Sequence, residues 1–220
     1  MRSLSVADAL TVYEDALRQG PTGLERLHAV GEDGSRRQLP IRRWLGTPDA
    51  TEEAVLARAR GPVLDVGCGA GRHVVALGQR GIEAMGVEVS SAVAAIARSR
   101  GAIVVEGSIF ATPLLGNWAT ALLLDGNVGI GGDAAVLLRR VGELLQPGGQ
   151  VLVELEPPAS GPHTGRVRLE SASAVSRWVP WHFVAADEIE GPAASAGLAV
   201  AERWTEGARW FAALRKERRR

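Results

Sequence analysis

Residues 63–73 read Val63-Leu64-Asp65-Val66-Gly67-Cys68-Gly69-Ala70-Gly71-Arg72-His73. An apolar run closes on an acid, three glycines follow at alternate positions, and a helical pattern begins at Arg72. Strand, glycine turn and helix in that order are how an open α/β sheet presents bare backbone to a nucleotide-like ligand. Glycine lets the turn take angles that other residues resist and leaves room against the main chain. The spacing narrows the ligand. A dinucleotide fingerprint has its third glycine three residues after its second and seats a pyrophosphate at the helix N-terminus. Here Gly67, Gly69 and Gly71 stand two apart. A second acid, Glu88, ends the apolar run 82–89, one βαβ unit further on. An acid so placed accepts hydrogen bonds from ribose hydroxyls; alternatively its charge favours the start of the next helix, which Ser90 or Ser91 can cap.

The pattern Asp65-x-Gly67-x-Gly69-x-Gly71 resembles motif I of the class I S-adenosylmethionine-dependent methyltransferases of small-molecule type. The resemblance implies an α/β fold, a Rossmann-like doubly wound sheet of seven strands, mostly parallel with a C-terminal antiparallel hairpin. It also implies S-adenosylmethionine as cofactor, S-adenosylhomocysteine as product, and a turn that wraps the amino-acid part of the cofactor. Contacts are carried over to Asp65, Gly67, Cys68, Gly69, Gly71, Glu88 and Val89, and to Ser108, Ile109 and Asp125 after later strands. The family usually has an Asp near Ser108 against the adenine amino group. With serine there, adenine recognition falls to backbone and to apolar neighbours such as Ile109 and Phe110.

Methyl transfer asks little of side chains. It is an in-line displacement on a strong electrophile, so alignment and exclusion of water supply most of the acceleration. A general base is needed only where the acceptor must lose a proton. Of His28, His73, His163 and His182, the last is the candidate base, and His73 reads as support for the loop. Asn127 follows the fourth strand, where ligands gather in such sheets, and its amide can orient an acceptor nitrogen or oxygen. Asn127 and His182 are therefore the candidate catalytic residues, with no metal expected. Two other classes remain open: a cofactor-binding protein without catalysis, and an NAD-type oxidoreductase, which the glycine spacing opposes.

The elements that must position these groups follow from pattern. Strands are expected at 82–89, 102–106, 119–124 and 151–155; their near-continuous apolar runs favour a parallel sheet covered on both faces. Asp133 can cap a helix that Pro147-Gly148-Gly149 stops, and 199–204 with 209–214 read as a hairpin around a glycine-containing turn. A last helix is expected over 187–196, interrupted by Gly191-Pro192. The cofactor-binding core is thus 55–214 of a single domain, preceded by a helical cap or lid, 1–54, and followed by a basic tail, 215–220. The cap holds an amphipathic helix over 4–18 with Val6, Leu10, Tyr13 and Leu17 at helical spacing, a turn-rich stretch over 28–34, and then Arg36, Arg37, Arg42, Arg43 and Trp44. Read as a lid, it brings Tyr13, Arg43 or Trp44 to the cofactor's methionine carboxylate or to the acceptor; read plainly, it is a helix on the sheet edge. The insert 157–183 places Trp178, Trp181, His182 and Phe183 within a few residues, as an aromatic wall or as a satellite core.

A chain of 220 residues with 46% hydrophobic content suits one domain with a sizeable core. Zero formal net charge argues against a broad nucleic-acid footprint and leaves a small-molecule acceptor as the expected partner. The single cysteine, Cys68, excludes an internal disulfide. No run is apolar enough to cross a bilayer and no signal-peptide core is present, so a cytoplasmic protein without membrane contact is expected, its oligomeric state open.

Overall fold

The computed structural model describes residues 5–20, 26–160 and 163–217. The chain opens with strand β1 (Ser5–Ala7), helix α1 (Ala9–Arg18), strands β2 (His28–Gly31) and β3 (Arg36–Gln38), and helices α2 (Ile41–Trp44) and α3 (Ala50–Leu56). Alternation then begins: β4 (Val63–Val66), α4 (Arg72–Gln79), β5 (Ala84–Glu88), α5 (Ser91–Ser99), β6 (Val104–Glu106) and β7 (Trp118–Leu123). A 3₁₀ segment (Asn127–Gly132) leads to α6 (Ala134–Leu144) and β8 (Leu145–Leu155). The insert forms β9 (His163–Glu170), β10 (Ala174–Ser176) and β11 (Val179–Phe183), before α7 (Glu190–Ser195), β12 (Leu198–Glu206) and β13 (Arg209–Lys216).

The main sheet has seven strands in the order β12-β13-β8-β7-β4-β5-β6. The five from β8 to β6 run parallel, and β13 and β12 close the edge as an antiparallel hairpin. Successive residues of the central strands face opposite layers. Leu64, Val66, Leu123 and Val153 pack under α6 and α7, whereas Val63, Leu122 and Leu152 pack under α3, α4 and α5. Covered on both faces, β4 is buried at every position. Its carboxyl end and that of β5 lie side by side, and this sets the glycine turn next to Glu88. Gly191 and Pro192 fall in the first turn of α7, where a missing amide hydrogen costs nothing, so the helix starts late rather than kinking.

The cap differs from expectation. Helix α1 begins at Ala9, with Asp8 accepting the Leu10 amide hydrogen at 2.9 Å, and Val6 lies outside it, in β1 and exposed. The stretch read as turns is the β2–β3 hairpin. Both strands, and β1, enter a second sheet of order β1-β10-β9-β2-β3 with β11 also on β9. The first 54 residues are therefore not simply helical: they share a sheet with the insert. Strands β1 and β2 are short, and partners more than a hundred residues away hold them in the sheet. At the other end β13 runs on to Lys216, whose Nζ donates to the Gly142 and Leu145 carbonyls at 2.7 Å each. Residues 218–220 of the expected tail, and Gly161 and Pro162 of the insert, lie outside the described residues.

Candidate active site

The glycine turn leaves β4 with Gly67, Gly69 and Gly71 at φ of +70°, +53° and +78°. Side chains resist this region, which explains the alternate glycines. The three are used differently. A Cβ on Gly71 would stand 2.7 Å from that of Ala102 and 3.0 Å from that of Ala97, so this glycine lets α4 close on the next βα unit. A Cβ on Gly67 would meet the Asn127 amide at 2.8 Å, and one on Gly69 the Tyr13 hydroxyl at 3.2 Å. Cys68 points inward against Gly86. Burial pushes its thiol far above the usual range, so it is an inert packing group.

Glu88 clamps the turn. Its Oε2 accepts the Gly69 amide hydrogen at 3.0 Å and its Oε1 that of Ser90 at 2.9 Å. Burial lifts its pKa above the ordinary value against these hydrogen bonds. Helix α1 closes over the same point. Ser90 Oγ donates to Glu14 at 2.6 Å, and Tyr13 meets Trp44 edge to face with centroids 6.1 Å apart. Burial, and then Glu88, raise the Tyr13 pKa, so its hydroxyl stays protonated. Beyond Glu88, Val89 is 51% exposed and Phe110 41% exposed, two apolar side chains left open at strand ends. Ser108 turns its hydroxyl to the Phe110 amide at 3.3 Å; Ile109 is buried, its carbonyl accepting from Arg140 at 3.0 Å.

Beneath the turn lies a group of charges that no local pattern shows. Arg72 Nη2 is 2.6 Å from both Glu52 and Asp125. Arg43 adds a 2.8 Å contact to Asp125, and Arg209 takes Glu154 with two nitrogens at 2.7 and 2.6 Å. Asp125 itself sits at φ +58°, its amide hydrogen donated to Glu154 at 2.7 Å. Burial works against its charge, but Arg72, His73 and Arg43 hold its carboxyl below the usual range. Glu52 is fully buried; burial again opposes its charge, and His73 and Arg72 outweigh it. The oxygens and nitrogen of Glu52, His73 and Asp125 lie within 4.8 Å of one another, a spacing that could hold a metal. The Arg72 guanidinium already stands between the two carboxylates as the cation. Asp65 and Asp125, expected at the cofactor, thus face inward. Asp65 is buried with its Oδ2 3.4 Å from His73 Nδ1, and Asp125 is taken by the arginines.

His73 has a measurable consequence. Burial lowers its pKa, but Asp65 and Glu52 outweigh that and raise it to about 9 from 6.5. The stability it adds is then complete below pH 6.5 and lost as pH climbs through 9. A fall of about 3 kcal/mol across that window is expected in urea titrations. His73→Gln should flatten the profile; an unchanged slope in the variant would rule out His73 as its source.

The candidate catalytic residues have structural partners. Asn127 Nδ2 donates to the Val66 and Gly67 carbonyls at 2.9 Å each, which orients the amide and turns Oδ1 away from them. His182 Nδ1 accepts the Ala134 amide hydrogen at 3.2 Å at the start of α6. Burial lowers its pKa, so it is neutral. Trp181 packs on Gly129 within the 3₁₀ segment that begins at Asn127, whereas Trp178 lies in the connection between β10 and β11 with Arg168 4.9 Å over its ring. The structure brings Asn127 and Tyr13 to the glycine turn, with Trp44 packed on Tyr13, and leaves Trp178 apart from it. Among the described residues no helix is long and apolar enough to cross a membrane.

Residues 63–149 match the family model of a methyltransferase domain. No curated protein matches the chain. Among solved structures, the fold is shared with an S-adenosylmethionine-dependent methyltransferase from Bacteroides fragilis in complex with S-adenosylhomocysteine (21% identity, 98% of each chain, TM-score 0.79). It is shared too with an amino pentose methyltransferase from Micromonospora echinaspora (23% identity, 76% of this chain and 89% of that one, TM-score 0.54). A third is the 1,6-didemethyltoxoflavin-N1-methyltransferase of Burkholderia thailandensis (15% identity, 76% and 79%, TM-score 0.57). The seven-stranded sheet is the methyltransferase fold.

Proposed function

We propose that this chain is an S-adenosylmethionine-dependent methyltransferase acting on a small molecule, with nitrogen or oxygen rather than carbon as the methylated atom. The observation that carries the reading is the Glu88 carboxylate held at the Gly69 amide, beside a turn whose glycines a Cβ would fill. That cradle fits the cofactor: bare backbone for its amino-acid part, a carboxylate for its ribose, and Val89 and Phe110 as open apolar surface for adenine. When bound, S-adenosylmethionine supplies a methyl group on a positively charged sulfur.

The chain's own residues then align and shield. Tyr13, over Gly69 and backed by Trp44, excludes water from the turn. Asn127, its Nδ2 held on the Val66 and Gly67 carbonyls, keeps Oδ1 to orient an acceptor, and Trp181 walls the same segment. The acceptor lies at the carboxyl ends of β7 and β8, with Trp178 no part of it. His182, its Nδ1 occupied, holds the insert to α6 rather than taking a proton. The amino pentose and N1 acceptors in the names of structural neighbours favour nitrogen. A neutral amine brings its own lone pair and needs no base.

Calorimetry with S-adenosylhomocysteine and with NAD tests the reading: the first should bind and the second should not. NAD binding without a response to S-adenosylhomocysteine would overturn it, and binding without turnover across amine and hydroxyl acceptors would leave a binding protein. In the same assay Glu88→Ala should weaken cofactor affinity about tenfold or more, since hydrogen bonds to a charged acceptor are worth roughly 1.5–3 kcal/mol each. An unchanged affinity in a folded variant would reduce Glu88 to a clamp on the backbone.

A further inference from the structure

At the opposite end of the main sheet the chain forms a cleft of about 230 Å³ between the segment that follows α3 and the face of β8, β13 and β12. Its lining carries three arginines, Arg58, Arg60 and Arg215, against one acid, Glu202. The side chains of Arg60 and Arg215 make no hydrogen bond or ion pair with any described residue. Only Arg58 is partnered, by Glu202 at 2.8 Å and by the Trp204 ring 3.9 Å beneath its guanidinium. A surface loop of this kind is usually loose, but this one is pinned. Buried Thr120 accepts the Arg60 amide hydrogen and donates to the Arg60 carbonyl, each at 2.9 Å. Buried Gln150 donates to the Arg58 carbonyl, also at 2.9 Å. Two buried polar side chains are thus spent on fixing the backbone that presents two of the arginines, and strand β13 fixes the third.

We propose that this cleft is a binding site for a small phosphate-bearing anion, about the size of pyrophosphate. The lining carries a formal excess of two positive charges in a protein whose net charge is zero. A single carboxylate leaves one of those charges unmet, whereas a pyrophosphate group offers enough oxygens to engage all three planar guanidinium forks. The volume is about that of seven or eight waters at ~30 Å³ each, which admits two phosphoryl groups and excludes a folded polymer. The site is separate from the candidate active site. Gln150 and Glu154 stand at opposite ends of one stretch of β8, about 13 Å apart at ~3.3 Å per residue.

Titration calorimetry on the full chain with pyrophosphate, inorganic phosphate, citrate and a short single-stranded oligonucleotide tests the proposal. Pyrophosphate should bind one to one, more tightly than phosphate or citrate. Arg60→Gln and Arg215→Gln should each weaken it tenfold or more, and the affinity should fall steeply with salt. Both residues are exposed, and neither touches the glycine turn, so S-adenosylhomocysteine binding and Tm should stay unchanged in the variants. Lack of pyrophosphate binding at millimolar concentration, or binding that both variants leave intact, would overturn the site. Tighter binding of the oligonucleotide, lost in the same variants, would overturn the small-anion class and make the cleft a nucleic-acid contact.

Discussion

Arg72→Met is expected to cost about 3–5 kcal/mol of folding stability, the range for removing one partner of a buried ion pair. The loss comes from what the variant leaves behind. Glu52 is fully buried and Asp125 nearly so, and each has an oxygen 2.6 Å from Arg72. Without the guanidinium two carboxylates face one another under α4. Glu52 would then ionise only at a higher pH than it does beside Arg72. The deficit should therefore be largest at neutral pH and shrink as pH falls toward 5, where a proton can replace the lost cation. Urea unfolding at pH 7 and pH 5 measures both. Arg72→Lys should fall in between, because an ammonium cannot span the two acids as the planar fork does. A deficit under about 1 kcal/mol for Arg72→Met, typical of a surface pair, would show that the cluster does not organise the site.

Gly69→Val is expected to abolish cofactor binding, with affinity for S-adenosylhomocysteine at least a hundredfold lower. Two effects act together. The residue holds φ +53°, which a β-branched side chain strongly resists, and its Cβ would stand 3.2 Å from the Tyr13 hydroxyl, where a ligand must pass. Gly78, near the end of the helix that follows the turn and with open space around it, gives the control: Gly78→Val changes a nearby glycine and should leave affinity unaltered. Calorimetry on the two variants separates local steric exclusion from general damage. Normal binding by Gly69→Val would mean that no ligand approaches this turn.

The parts of the molecule legible in the sequence are those built by neighbours along the chain. The glycine turn, the strands before and after it, the Ser90 and Asp133 caps and the terminal hairpin all depend on residues within a few positions, and all form where pattern puts them. What escaped depends on distant pairing. Asp49-x-x-Glu52 is a readable capping box, and the structure forms it, but nothing nearby reveals that Glu52 also meets Arg72 beneath the turn. Asp125 is a strand-tip acid by position and an arginine partner in space. His182 looks like a free base until α6 supplies the amide it accepts. The cap looked helical because Val6 and Leu10 share a helical spacing with Tyr13. It is β1's pairing with β10 that takes Val6 out of the helix.

Helix α1 also differs from a flap in how it is tethered. It hangs between β1 and β2, and both strands are hydrogen-bonded into the sheet of the insert. Only Asp8 separates its first turn from β1. A ligand that enters over Gly69 by displacing the start of α1 then pulls on β1 and, through it, on β10. On the proposed reading, cofactor exchange is then coupled to Trp181, since β11 travels with the sheet through its pairing with β9. A covalent staple between β1 and β10 would act as a brake on turnover without touching either ligand. Steady-state kinetics would then report a common release step for both products.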